Sequence, residues 1–143
     1  MQVLTRYALF VLILALLYLL LTGNLLSRSP LVIAAQLAAI GLMVWARRSF
    51  RDDQFSIFAE PTGQTVLSQG PYHYIRHPMY AAALLLVWAS ILGHPSPVNI
   101  VIGLLVTGMI ALRITTEEAL LRAQYPDYAA YAQKTKRIIP YVL

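Results

Sequence analysis

Four apolar runs, Val3 to Thr22, Leu31 to Ala46, Pro78 to Gly93 and Asn99 to Leu112, dominate this chain and leave few folds open to it. The first is twenty residues long with one charge, Arg6, near its start, a length that crosses a hydrocarbon core of about 30 Å. The second is closed by Trp45 at interfacial depth and by the charged run from Arg47 to Asp53. His94-Pro95-Ser96-Pro97 between the third and fourth is a tight turn. Both of those runs are short for a span, so the fourth is expected to continue through Arg113 and Thr116 into Glu117 and Glu118. Ala81, Ala82, Ala83 and Ala89 on one, with Gly103 and Gly108 on the other, are the small residues that allow close approach in a membrane hairpin.

The expected fold is an all-α integral membrane protein with about four transmembrane helices. A cytoplasmic loop and a C-terminal helix would form the polar pocket. A hydrophobic content of 59% with 12% charged residues exceeds that of an ordinary soluble domain, and 143 residues make one domain. Residues 1–59 would carry two spans, and residues 60–143 the polar motifs. The chain has no cysteine, which excludes disulfides, thiolate nucleophiles and cysteine-ligated metals. His73, His77 and His94 lack metal-ligand spacing, so no metal site is expected. The net charge of +5 fits loops beside anionic lipid better than nucleic acid.

Lys and Arg set the orientation. With the N-terminus inside, Arg6, Arg47, Arg48, Arg51, Arg76, Arg113, Arg122, Lys134, Lys136 and Arg137 fall on the cytoplasmic side, and Arg28 alone falls outside. That asymmetry holds for an even number of spans. Both termini and the long loop would then share the cytoplasmic face, in a prokaryotic inner membrane.

On that face stands Gly70-Pro71-Tyr72-His73-Tyr74-Ile75-Arg76-His77-Pro78-Met79-Tyr80. Pro78 suits the first turn of a helix and pushes His77 toward an extended conformation. Arg76 and His77 would then sit at a helix N-terminus, where unpaired N–H groups favour an anionic ligand group. An interfacial anchor, with Tyr and Arg at headgroup depth, accounts for the same residues. A second polar set follows the fourth run. Arg113 and Glu117 are four apart on one helical face, as are Glu118 and Arg122, the spacing of solvated surface ion pairs. Arg113 directly ends an apolar run, where a guanidinium usually faces protein, a partner charge or a cavity. Tyr125, Tyr128 and Tyr131, spaced by three, suit a packing stripe. Together the two sets suit S-adenosylmethionine, with an adenine to stack, an ammonium for a carboxylate, a carboxylate for a helix N-terminus and a sulfonium for aromatic faces.

The ordered motifs G-P-Y-x-x-x-R-H-P-x-Y (Gly70 to Tyr80), R-x-x-x-E-E-x-x-L (Arg113 to Leu121), Y-x-x-Y (Tyr128 and Tyr131) and R-x-I-P (Arg137 to Pro140) resemble the isoprenylcysteine carboxyl methyltransferase and phospholipid methyltransferase superfamily. The resemblance covers roughly residues 60–143 and implies a membrane methyltransferase that uses S-adenosyl-L-methionine. It implies that Gln64, Thr65, Val66, Leu67, Tyr72, His77, Pro78, Met79, Tyr80 and Glu117 surround the cofactor. Arg76, Glu118, Tyr128 and Tyr131 are further candidates. Arg113 would orient a lipid-borne or lipophilic acceptor, by gripping a carboxylate or phosphate. Ala82 departs from the glycine of many relatives, which bears on how closely cofactor approaches backbone. An NADPH-dependent membrane reductase of the sterol-reductase type and a non-catalytic membrane scaffold are the competing readings. A carboxylate acceptor would already be nucleophilic, whereas an amine would need a base such as Glu118 or His73.

Overall fold

A computed structural model describes residues 7–49 and 68–140. It contains five α-helices: α1 (Ala8–Leu21), α2 (Pro30–Arg48), α3 (Pro78–Gly93), α4 (Pro97–Gln124) and α5 (Tyr128–Lys134). One 3₁₀ turn, Gly70–His73, precedes α3. Among the described residues there is no strand, only an isolated parallel bridge between Ile75 and Lys136.

The helix boundaries follow local chemistry. Proline opens α2, α3 and α4, where its missing N–H is one the helix leaves unpaired in any case. Ser96 caps α4 by accepting from the Asn99 N–H at 3.1 Å. Helix α1 ends in a Schellman turn: Gly23 takes φ +73°, and the Asn24 and Gly23 N–H groups return to the carbonyls of Leu19 and Leu20. Pro126 follows the end of α4.

The fourth apolar run does continue as expected. Helix α4 carries 28 residues without interruption, about 42 Å, which is longer than a hydrocarbon core of about 30 Å is thick, and it holds Arg113, Glu117 and Glu118 in its C-terminal half. Helices α2 and α4 are long and apolar enough to cross a membrane, while α1 and α3 are shorter apolar helices. Helix α2 lies along α3, α1 lies against α4, and α3 also packs on α4. Ala15, Leu19, Ala83, Val87, Ile91, Val106, Ile110 and Ile114 form the buried core. Phe10, Leu17, Leu37, Ile40, Leu104 and Leu105 point outward, so apolar side chains cover the periphery as well as the interior.

Small residues are not used uniformly. Gly103 is buried, and a Cβ there would lie 2.7 Å from Ile91 Cδ1 and 3.1 Å from the Trp88 ring. Gly108, expected at the same contact, is exposed, with open space where its Cβ would be. The hairpin interface thus passes through Gly103 and misses Gly108. A partly buried bond from Trp88 Nε1 to Thr107 Oγ1 at 3.0 Å supplements it, and Gln36 Nε2 ties α2 to α3 by donating to Ser90 Oγ at 2.9 Å and to Leu25 O at 2.6 Å.

Candidate functional site

The approach to α3 begins at Gly70, whose φ of +58° and whose closeness to Ser49 and Trp45 of α2 leave no room for a side chain. The turn that follows buries Pro71 and Tyr72. The chain next runs beside the C-terminal tail: the Arg76 N–H donates to Lys136 O at 2.7 Å, the His77 N–H to Arg137 O at 2.9 Å, and the Lys136 N–H to Tyr74 O at 3.2 Å. This corrects one expectation. The N–H groups of Arg76 and His77 serve the tail rather than a ligand, and the donors that α3 leaves without an intrahelical acceptor are those of Met79 and Tyr80.

The side chains of Arg76 and His77 turn to Glu118. Arg76 Nε donates to Glu118 Oε1 at 2.9 Å, His77 Nε2 lies 3.3 Å from the same oxygen, and Arg137 reaches Oε2 through Nη2 at 3.2 Å and Nε at 3.3 Å. Glu118 is 3% exposed, so its charge is sustained by these partners rather than by water. Arg76 Nη1 also donates to the carbonyls of Ala132, at 2.8 Å, and of Thr135. The surface pair expected between Glu118 and Arg122 does not form. Arg122 is exposed, and the buried carboxylate takes partners distant in sequence because desolvation makes their contribution larger. Arg76 and Glu118 join the α3 approach, α4 and the tail together.

Glu117 serves the other side. Adjacent residues on a helix point about 100° apart, so the two carboxylates cannot share one environment. Tyr80 Oη donates to Glu117 Oε2 at 2.7 Å and accepts from Arg113 Nε at 2.6 Å. Arg113 is 5% exposed, and its guanidinium carbon lies 5.7 Å from the centre of the Tyr80 ring. The His77 ring stacks on the same tyrosine, with centroids 5.5 Å apart. Arg113 and Glu117 are therefore joined through a phenol rather than by the direct pair that their spacing suggests. Tyr80 separates them because its side chain reaches across from α3.

The tyrosine stripe is also revised. Tyr125 caps α4 and Pro126 breaks the path, so only Tyr128 and Tyr131 share a helix, α5. Tyr131 Oη donates to the Tyr72 carbonyl at 2.7 Å, which fixes α5 against the 3₁₀ turn. Tyr128 is buried, and its hydroxyl has no hydrogen-bond partner among the described residues. Burial raises the pKa of Tyr131 to about 12 against the lowering effect of Arg76. Burial first, then the Glu117 carboxylate, raises that of Tyr72, and burial with Glu118 raises that of Tyr128. All three phenols stay protonated at neutral pH, and that of Tyr131 donates to the Tyr72 carbonyl.

Pro78 is buried and Met79 half-buried at the start of α3, beside His77 and Tyr80. Tyr72, His77, Pro78, Met79, Tyr80, Arg113 and Glu117 thus gather at the junction of α3, α4 and the 3₁₀ turn. Gln64, Thr65, Val66 and Leu67 lie outside the described residues. Sequence reasoning overlooked Thr135, which is buried and donates from Oγ1 to Tyr131 O at 2.8 Å, and no motif marks it. It also gave Arg137 no partner, although the basic residue of R-x-I-P was in view.

The chain resembles known proteins. The cobalt-zinc-cadmium resistance protein CzcN of Cupriavidus metallidurans is 31% identical over 77 residues, 53% of this chain and 36% of CzcN. The chain accordingly spans about a third of that relative's length. No solved structure matches it. The phospholipid methyltransferase family model matches residues 29–128, from the start of α2 to Tyr128. That stretch includes the Arg113, Tyr80 and Glu117 series and the Glu118 cluster with Arg76 and His77, and on it the chain belongs to the phospholipid methyltransferase family.

Proposed function

We propose that this chain transfers a methyl group from S-adenosylmethionine to a lipid-borne or lipophilic acceptor, a carboxylate or an amine, at the cytoplasmic face of a membrane that it crosses four times. The observation that carries the reading is the hydrogen-bonded series Arg113, Tyr80, Glu117 where the N-terminus of α3 meets the polar end of α4. In this reading the N–H groups of Met79 and Tyr80 take the amino-acid carboxylate and Glu117 takes the ammonium. Tyr72, His77 and Pro78 supply faces, and Gln64, Thr65, Val66 and Leu67 line the pocket from the loop. The bound cofactor supplies an electrophilic methyl group.

The remaining contribution is the chain's own. Arg113 lies where the apolar part of α4 ends, so its cation is set to orient an anionic group on an acceptor arriving from the lipid. Methyl transfer is an in-line displacement that needs alignment and exclusion of water more than acid-base groups. Glu118 and His77, bonded to each other, are held as structure rather than as a proton-accepting pair.

The test is ligand-dependent stabilisation of the purified chain in detergent. S-adenosylhomocysteine at a hundredfold excess over its Kd should stabilise by about 2.7 kcal/mol, and NADPH should not. Stabilisation by NADPH alone would favour the reductase, and stabilisation by neither the scaffold. A mass-spectrometric search for methylated lipids and lipophilic acids, with and without the chain, would then identify the acceptor.

A further inference from the structure

We infer that the Tyr80 hydroxyl is the positioning group through which Arg113 sets the grip of Glu117 on the cofactor, so that the acceptor side and the cofactor side of the site are coupled by one phenol. The inference rests on the proposed methyltransferase reading and concerns how its two subsites communicate.

The direction of the series is fixed by chemistry. A guanidinium has donors and no acceptor, and an ionised carboxylate has acceptors and no donor. Tyr80 Oη, 2.6 Å from Arg113 Nε and 2.7 Å from Glu117 Oε2, must therefore accept from the arginine and give its single proton to the carboxylate. A phenol that accepts from a cation becomes a stronger donor, so the two bonds reinforce each other. The ring carrying the hydroxyl is held by His77 at 5.5 Å and by the Arg113 guanidinium at 5.7 Å. His77 is in turn held by Glu118. Swinging the hydroxyl away would break contacts on several sides.

The interposed phenol has a consequence that a direct ion pair would not. Arg113 and Glu117 are one helical turn apart and could neutralise each other at contact. With the hydroxyl between them, Glu117 is oriented through Oε2 but keeps its full charge. Its other oxygen has no hydrogen-bond partner among the described residues, and Glu117 is half-buried. A carboxylate so placed suits an ammonium ligand. Any shift of Arg113 toward an anionic acceptor acts on Glu117 through Tyr80.

The experiment is a double-mutant cycle on the full chain in detergent, with S-adenosylhomocysteine binding read by isothermal titration. Tyr80→Phe keeps the ring and removes the relay. Arg113→Gln keeps a donor and removes the cation, and Arg113→Lys is the second variant should the first fail to fold. Each single change should weaken binding roughly ten- to a hundredfold, the worth of one charge-assisted hydrogen bond. The double variant should bind no more weakly than Tyr80→Phe alone, because the arginine's influence has already been cut. Melting temperatures without ligand separate this from a loss of fold, since Tyr80→Phe, though it should melt somewhat below the parent, should still unfold cooperatively and be folded at the temperature of the titration. If the Arg113 change costs the same factor in both backgrounds, or if Tyr80→Phe binds like the parent, the relay is overturned. Failure of the parent to bind S-adenosylhomocysteine is a different result, which overturns the cofactor reading and the relay with it.

Discussion

Replacing Glu118 with glutamine preserves its shape and removes its charge, and the structure assigns a size to the effect. Four contacts within 3.3 Å converge on this carboxylate. The strongest comes from Arg76, whose side chain is 9% exposed and cannot recover hydration when its partner is lost. Breaking a buried pair by neutralising one member costs about 3–5 kcal/mol. The lower end applies here, because Arg76 keeps the carbonyls of Ala132 and Thr135. Arg137 is 46% exposed and screened by water, so its share is at most about 1 kcal/mol. Glu118→Gln should thus lose roughly 3 kcal/mol, a fall in melting temperature on the order of 10 °C in detergent. Arg137→Ala should cost a third of that or less, and Arg122→Ala nothing measurable. Thermal unfolding followed by tryptophan fluorescence tests all three on one scale. If Arg122→Ala destabilised as much as Glu118→Gln, or if Glu118→Gln melted with the parent, the buried cluster would be refuted and the surface pairing read from the spacing restored.

Gly103→Leu should destabilise by about 1–3 kcal/mol through overpacking against Ile91 and Trp88, whereas Gly108→Leu should melt with the parent; equal effects would contradict the packing of α3 on α4. Tyr128→Phe removes a buried hydroxyl that has no partner among the described residues, so ligand-free stability should hold or rise by up to about 1 kcal/mol, and a clear fall in melting temperature would expose a missing partner. For the topology, the chain has no native thiol, so single cysteines can be labelled in membrane vesicles. Position 96, between α3 and α4, should react with an impermeant reagent from outside and position 134 only from inside, and the reverse pattern would overturn the proposed orientation.

What was legible in the sequence was set by local rules. The proline starts of α3 and the turn before α4 follow from missing N–H groups and restricted φ. The length of α4 was readable because its apolar run was too short to end at Leu112. The break after Tyr125 was missed, although Pro126 stands inside the three-residue spacing and ends the helix. Partners of charged groups were not legible. The i, i+4 rule offers Arg122 to Glu118 and Arg113 to Glu117 because it counts neighbours on one helix surface. A carboxylate at 3% exposure answers to desolvation, which selects Arg76, 42 residues away, and Arg137, 19 residues away. Gly108 failed for a related reason, since a small residue promises close approach only on the face that meets a neighbour.

The adjacent carboxylates Glu117 and Glu118 give these corrections one physical origin. A helix turns about 100° per residue, so consecutive side chains face different surroundings, and two neighbouring acids can be held by opposite kinds of partner. Glu118 faces the tail, where Arg76, His77 and Arg137 surround its carboxylate. Glu117 faces Tyr80 and is held by one neutral hydroxyl, which leaves its charge uncancelled for a cation. The motif before α3 divides in the same way: the Arg76 and His77 side chains go to Glu118, while Tyr80, one helical turn further on, goes to Glu117. Alternation along the two helices thus sorts a dense cluster of charges into a half held by the tail and a half that the proposed function turns toward the cofactor. Exchanging the acids, as in Glu117→Gln against Glu118→Gln, should separate them: the first should weaken S-adenosylhomocysteine binding with little change in melting temperature, and the second should lower the melting temperature first.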